Sequence, residues 1–444
     1  MTTHFKPNNE SYIEYKKRVL DSKSSSFCGA KWYYATIWLN TGQTTACHHP
    51  LPHQVDAEAV MKNPALLSNT PTKKTERQQM LKGERPSGCS YCWKIEDISK
   101  DNVSDRVHKS VAYTEKDLQE AFDGGNEKDF PVKYLELSFD RTCNFACSYC
   151  NPAFSTTWAK DIKKNGPYTE IGEDGKRHYG HPHNQASRFQ EDDNPYIKAF
   201  FEWWDKELHS TVHTLRLTGG EPLMHRHVWK MMDFLKSRPN VVEYFAVNSN
   251  LVTKPALFDK FLKEAKGING FHLYTSNESC ELGSEYIRDG MVWTQWKDNL
   301  ARAIDSKCFD GVNVMCTVSA IALEGLAEFL RFCVEMKKTN DKKMPQFSLN
   351  ILRFPNFQSP LVLPLELRKK FACEIETFTT KNEKYLNEME VSNCKRLITY
   401  LKQEDDTHME LRKQFKNYFK QYDKRRDKDF EKTFPIIGEW YRGI

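Results

Sequence analysis

Three cysteines at short spacing are the residues of this chain best suited to chemistry: Cys143, Cys147 and Cys150, in the pattern C-x3-C-x2-C. Thiolates are metal ligands. Three on one loop cap three irons of a cubane, whereas a protein cubane normally takes four, so one iron would be left open for another ligand. Zinc is the alternative, but a structural zinc closes with four protein ligands, so the loop would need a distant partner. A second set, Cys28, Cys47, Cys89 and Cys92, is spaced C-x13-G-x4-C and then C-x2-C, with Gly42 at the turn between the first two. Four thiolates suit tetrahedral zinc and a fully ligated [4Fe-4S] cluster equally well. His48 and His49 follow Cys47 directly, and one of them could replace a Cys as ligand; an exposed loop pair is the plainer reading. His178, His181 and His183 carry the same two readings, with zinc as the metal. The other six Cys (Cys280, Cys308, Cys316, Cys333, Cys373, Cys394) are scattered, and most of them read as small core hydrophobes.

The chain around these cysteines is 444 residues long, enough for two or three domains. It is 39% hydrophobic and 13% aromatic, polar for a globular protein but too aromatic to be disordered throughout. No run of about 18 apolar residues is present, which excludes a membrane-spanning helix. The first residues, MTTHFKPNNESYIEYKKR, lack an apolar secretory core, so a cytoplasmic, reducing location is expected, where clustered Cys hold metal rather than disulfides. With 65 basic and 60 acidic residues there is no specific nucleic-acid signal.

The elements that must position the cysteines follow from hydrophobic pattern. Short apolar runs at 134–139, 214–218, 244–249, 270–276, 312–319 and 347–354 alternate with helical periodicity, as at 228–237 and 326–338. Such βα repeats argue for an α/β fold with a parallel sheet covered by helices; an open partial barrel and a flat doubly wound sheet both fit. The Cys143 loop follows the first of these strands, at the strand end where α/β folds collect ligands. The expected organisation is an N-terminal Cys-rich domain over 1–98, a linker over 99–131, a core over 132–355 with an insertion at 159–200, and a helical region over 356–444. The basic stretch 412–432 reads as a solvated helix face, or, as the minor alternative, a phosphate-binding patch.

The motifs together resemble the radical SAM superfamily. C-x3-C-x2-C after a first strand, with Tyr149 just before the last Cys, is similar to its signature. The second strand ends Thr218-Gly219-Gly220-Glu221-Pro222, which resembles the GGEP motif. The third ends Ser249-Asn250, similar to the family's polar ribose-contacting strand end, and the fourth ends at Ser276. The N-terminal Cys spacing resembles the auxiliary-cluster module called the twitch domain, a shortened SPASM domain, although in familiar members that module follows the core. The tracts GERPSGCSYCWKIE and YIRDG look like a group of twitch-containing radical SAM proteins common among phage and environmental sequences.

The resemblance implies a partial (β/α)6 barrel and an enzyme. Cys143, Cys147 and Cys150 would hold a [4Fe-4S] cluster, with S-adenosylmethionine (SAM) chelating its open iron. Gly219, Gly220 and Glu221 would position the methionyl group. Ser249 and Asn250 are candidates for the ribose, Tyr149 for the adenine, and Ser276 for a further contact. Reductive cleavage of SAM would yield a 5′-deoxyadenosyl radical that abstracts a substrate hydrogen. Cys28, Cys47, Cys89 and Cys92 would hold an auxiliary [4Fe-4S] cluster that accepts an electron. A flavodoxin- or ferredoxin-like donor and a peptide or protein substrate are the implied partners. The rival class is a non-enzymatic iron–sulfur or zinc-binding scaffold.

Overall fold

The computed structural model describes residues 5–97, 99, 102–179, 193–340, 342–404 and 408–444. His181 and His183, with the rest of the 180–192 part of the insertion, lie outside the described residues. Strands follow in chain order as β1 (Tyr34–Trp38), β2 (Gln43–Thr45), β3 (His53–Gln54), β4 (Tyr134–Ser138), β5 (Ala146–Cys147), β6 (Thr214–Thr218), β7 (Tyr244–Asn248), β8 (Phe271–Ser276), β9 (Arg288–Asp289), β10 (Gly311–Val318) and β11 (Gln346–Ile351). The chain divides into two compact units. One comprises Met1–Asp140, Ser187–Thr218 and Ser237–Phe245, and the other Arg141–Ala186, Gly219–Lys236 and Ala246–Ile444.

In the first unit the strand order is β3-β2-β1-β4-β6. β1 and β2 form an antiparallel hairpin in the register Thr36↔Thr45, turned at Gly42 with φ +69°. A side chain at Gly42 would also overlap the Tyr196 ring, so both conformation and space demand glycine. β1 runs parallel to β4 (Tyr34↔Tyr134) and β4 parallel to β6 (Leu135↔Leu215). The helices Asp105–Ser110 and Glu115–Asp123 place Val107, Val111, Leu118 and Ala121 in one core with Tyr15, Phe27, Trp32, Tyr33, Met80 and Trp93. The second of these starts with a capping box between Thr114 and Asp117, which satisfies two otherwise orphaned N–H groups.

In the second unit β8, β10 and β11 are parallel neighbours, with registers Val312↔Leu273 and Val314↔Phe347. The strands alternate. Val312, Val314, Cys316 and Val318 of β10 are fully buried, while Asn313, Met315 and Thr317 are half-buried on the opposite face. That second face carries polar groups and is where a ligand would find partners. Helices supply the cover. The helix Arg226–Ser237 buries Val228, Met231, Met232 and Leu235, the i, i+3, i+4, i+7 stripe of an amphipathic helix.

The C-terminal helices are held by buried charge. Lys337, on the helix Leu323–Lys338, pairs with Glu390 at 2.5 Å; both side chains are almost fully buried. The other donors to Glu390 are the N–H groups of Phe347 and Asn387, at 2.9 Å each, so one carboxylate joins three elements. The basic stretch is divided: Lys413, Lys420, Lys424 and Lys432 are exposed, as a solvated helix face requires, while four others turn onto the protein. Arg412 donates to the carbonyl of Val362, Arg425 and Arg426 pair with Asp161, and Lys428 pairs with Asp289. No helix among the described residues is long and apolar enough to cross a membrane.

Lys337→Met would leave Glu390 charged and buried without its counter-ion, a defect that costs roughly 3–5 kcal/mol. Urea unfolding should show a loss of that size; a loss below about 1 kcal/mol would mean that the two backbone N–H groups alone suffice.

Candidate functional site

The three closely spaced cysteines occupy a loop of the second unit that is pinned on every side. β5 pairs antiparallel with β9, setting Cys147 opposite Arg288 and Ala146 opposite Asp289. Gly290, with φ +103°, lets that strand end approach the backbone of Asn144 and Phe145, which a Cβ would strike. The loop's carbonyls are answered one by one. Trp158 Nε1 donates to Cys147 O at 2.9 Å. Tyr179 and Tyr418 donate their hydroxyls, and Gln358 its amide at 3.0 Å, to Ser148 O. His178 Nε2 donates to Tyr149 O at 2.8 Å. Thr157 Oγ1 donates to Cys143 O at 2.7 Å. Burial lowers the His178 imidazole to about 4, so it is the neutral donor this contact needs. Its other nitrogen lies 3.4 Å from Asn151 Nδ2, so both ring nitrogens face protein partners.

Burial also governs the thiols. It pushes Cys150 up to about 12 and Cys147 to about 11, Arg288 opposing the rise at Cys147; Cys143 is raised further still. Thiols held protonated in this way are poor nucleophiles at neutral pH. They suit a metal, which would displace their protons as it binds.

The Gly-Gly-Glu turn lies against the start of this loop. Glu221 N donates to Thr142 O at 2.7 Å. A Cβ on Gly220 would collide with the backbone of Arg141 and Thr142, so only glycine permits the approach. The Glu221 side chain is 2% exposed and accepts from Leu223 N (3.1 Å), Ser249 Oγ (2.9 Å) and Asn250 N (2.6 Å). Ser249 and Asn250, read from sequence as ribose contacts, thus brace the carboxylate. Asn250 Nδ2 reaches Asn144 Oδ1 at 2.8 Å, tying this strand end back to the cysteine loop. Ser276 ends β8 opposite Met315.

Tyr149 meets two residues that sequence reading had not assigned to the site. Its hydroxyl donates to Glu278 Oε1 at 3.2 Å, and its ring centroid lies 5.5 Å from the Arg288 guanidinium carbon. Arg288 pairs with Glu278 at 2.6 Å and reaches Cys147 Sγ at 3.9 Å. The signal was present in the YIRDG tract, but no local pattern says that its arginine turns inward.

The donor set fits the group implied by the motifs. Three thiols, one buried and two half-buried, share one loop with no fourth Cys in it. The glycine turn lies directly against the backbone at the head of that loop. The Glu221 carboxylate, whose roughly four acceptor positions receive three donors, retains one for a cation. Burial raises that carboxyl to about 7, and a bound ammonium would favour its ionised form.

In the first unit, Cys28, Cys47, Cys89 and Cys92 line a single cavity, counting its mouth about 380 Å³ not filled by protein atoms. The hairpin explains this: Cys28 precedes β1 by a short helix, Cys47 follows β2, and Cys89 and Cys92 bracket the start of the helix Ser90–Glu96. Burial raises Cys89 and Cys92 to about 12. Lys31, Arg106 and Lys109 line the same cavity, a cationic setting that favours several thiolates together. His49 and Asp105 line it too, and the ligand atoms of His48, His49 and Asp105 lie within 4.8 Å of one another. Lys109 Nζ sits 3.9 Å from that carboxylate and 3.2 Å from His48 Nδ1, which disfavours a metal ion there.

No family model matches the chain, and no curated protein does. Solved structures similar to it include Streptococcus suis SuiB, at 13% identity and TM-score 0.36 over 76% of this chain and 65% of that one. SuiB bound to precursor peptide SuiA aligns at 11% identity and TM-score 0.36, over 80% and 70% of the two chains. Native anSMEcpe with bound AdoMet and Cp18Cys peptide aligns at 13% and 0.33, over 57% and 61%. The residues of this chain, rather than these likenesses, carry the function proposed below.

The folded chain holds the Glu221 proton more tightly than the unfolded one. The stability this confers is complete below about pH 4.5 and is lost as pH rises through about 7, by up to about 3 kcal/mol. Glu221→Gln should flatten that part of the pH profile in the metal-free protein, as urea midpoints at pH 5 and pH 8 would show. Equal slopes in wild type and variant would refute the burial argument.

Proposed function

We propose that this chain is a radical SAM enzyme. The carrying observation is the meeting of Thr142, at the head of the C-x3-C-x2-C loop, with the Gly220-Glu221 turn, at a contact only glycine allows. Cys143, Cys147 and Cys150 would hold a [4Fe-4S] cluster. When bound, that cluster with SAM on its open iron supplies one-electron reductive cleavage of the sulfonium, giving a 5′-deoxyadenosyl radical able to take a substrate hydrogen. The protein's part is positioning. Gly219 and Gly220 would let the main chain approach the methionyl group. Glu221 offers a buried acceptor for its ammonium at charge-assisted strength. Tyr149 would pack toward the adenine, while Ser249, Asn250 and Ser276 would supply polar groups at neighbouring strand ends. No side chain is assigned as the catalytic acid or base.

The core of 132–355 in this reading is a partial (β/α)6 barrel, preceded by a twitch-like module over 1–98 and a linker over 99–131. In that module Cys28, Cys47, Cys89 and Cys92 would hold an auxiliary [4Fe-4S] cluster. With four Cys it has no open iron to chelate substrate, which suits it to removing an electron from a substrate radical. That favours oxidation or crosslinking of a peptide or protein. A flavodoxin- or ferredoxin-like protein in the cytoplasm would deliver the reducing electron. Zinc in the four-Cys cavity is the second reading, since four thiolates suit it equally.

Anaerobically purified protein given dithionite and SAM should form 5′-deoxyadenosine, and Cys143→Ala, Cys147→Ala or Cys150→Ala should abolish it. One such variant with full yield would sink the assignment.

Iron analysis should return about eight irons per chain, two four-iron clusters; about four irons and one zinc would make the N-terminal site structural. A folded Cys89→Ala/Cys92→Ala variant should still cleave SAM. If it loses cleavage as completely as the Cys143 variant, the four-Cys site is no downstream acceptor.

A further inference from the structure

Arg288 and Glu278 form an ion pair that folding alone does not explain. Arg288 is 5% exposed and Glu278 0%. Desolvating two charges costs more than their attraction usually returns, and well-packed apolar residues serve stability as well or better. The pair is also not a generic brace, because its geometry is divided. Glu278 Oε2 takes Arg288 Nη2 at 2.6 Å, Nε at 3.2 Å and Thr317 N at 3.4 Å, while Oε1 takes the Tyr149 hydroxyl. That leaves Arg288 Nη1 directed at Cys147 Sγ, 3.9 Å away, within hydrogen-bonding reach for sulfur. The placement is built in by the backbone, since Cys147 and Arg288 are register partners of β5 and β9. The nearest further anion on β9, Asp289, is occupied by Arg426 and Lys428, each at 3.2 Å.

We propose that Arg288 and Glu278 are positioning residues that set the reduction potential of the centre held by Cys147, Arg288 raising it and Glu278 lowering it. The inference rests on the reading of Cys143, Cys147 and Cys150 as cluster ligands. Reduction adds one electron from the external donor, dithionite in a titration, so the thiolate-bound centre becomes one charge more negative. A guanidinium N–H facing a ligand sulfur stabilises that added charge; a buried carboxylate behind it opposes the gain. The opposed pair fixes an intermediate value and keeps it insensitive to solvent. Tyr149, the residue read as the adenine contact, is hydrogen-bonded to Glu278 and so touches the same pair.

The test is an EPR-monitored redox titration of the full chain, reconstituted with iron and sulfide, in the absence of substrate. The relevant signal is the one lost in Cys143→Ala. Glu278→Gln should shift its midpoint to more positive potential, because Arg288 then acts uncompensated. Arg288→Gln should shift it to more negative potential. Arg288→Lys, which keeps the charge but not the fork geometry, should lie between Arg288→Gln and wild type. A merely structural role would move both neutralising variants in the same direction or neither, and either result overturns the proposal. Should Arg288→Gln fail to fold, an absent or negative shift in Glu278→Gln is sufficient to overturn it. A wild-type chain that assembles no cluster on Cys143, Cys147 and Cys150 removes the underlying reading instead, and that failure is seen before any variant is made.

Discussion

A buried loop cannot leave its carbonyls unanswered, and this requirement organises the second unit. Residues 143–150 bury Cys147 and leave Cys143 and Cys150 half-buried, and burying an unpaired peptide group costs about as much as a lost hydrogen bond. The donors come from far along the chain: Thr157 and Trp158 just downstream, His178 and Tyr179 from the insertion, Gln358 past the last strand, and Tyr418 from a C-terminal helix. Elements that seemed peripheral by sequence position are therefore the walls of the cysteine loop.

The aromatic character of those walls has its own reason. Tyr and Trp bring a large apolar body with one polar tip, so they exclude water and still complete a hydrogen bond. The rings of Tyr168, Tyr179 and Tyr418 lie 4.8 to 5.4 Å apart, Tyr168 stacked on Tyr418 and the other pairs tilted, with Arg425 over Tyr168 and Arg426 over Trp158. The charged C-terminal helix thus reaches the loop through its ring stack and through its ion pairs with Asp161. Arg425 and Arg426 are accounted for by these internal contacts, while Lys413, Lys420 and Lys424 are exposed.

The two cysteine sets meet the same problem with different means. The 143–150 loop is surrounded by backbone and aromatic donors, and one guanidinium, itself paired, faces a sulfur. The four-Cys cavity is bordered by Lys31, Arg106 and Lys109, with Glu76 and Glu96 balancing the first two. Several thiolates in one cavity repel one another, and buried cations offset that repulsion. The first arrangement surrounds its thiols with hydrogen-bond donors, while the second surrounds them with fixed charge.

The apolar runs were legible in the chain itself. The strands at Tyr134–Ser138, Thr214–Thr218 and Phe271–Ser276 lie where period and composition put them, because β-branched and aromatic residues between turn formers have few other options. The hairpin turn at Gly42 was equally local. The cysteine spacings and the glycine pair were legible too, since a ligand loop and a close backbone approach both depend on residues adjacent in sequence. Tertiary structure alone decided which distant groups serve them. Glu221 is braced by Ser249 and Asn250, and Arg288 faces Cys147, through pairings of segments dozens to more than a hundred residues apart. The same holds for Tyr418, whose helix reads from sequence only as a charged surface element. Side-chain type and spacing set what a residue can do; which buried carbonyl, thiol or carboxylate it must satisfy depends on the neighbours that folding supplies, and no local pattern records them.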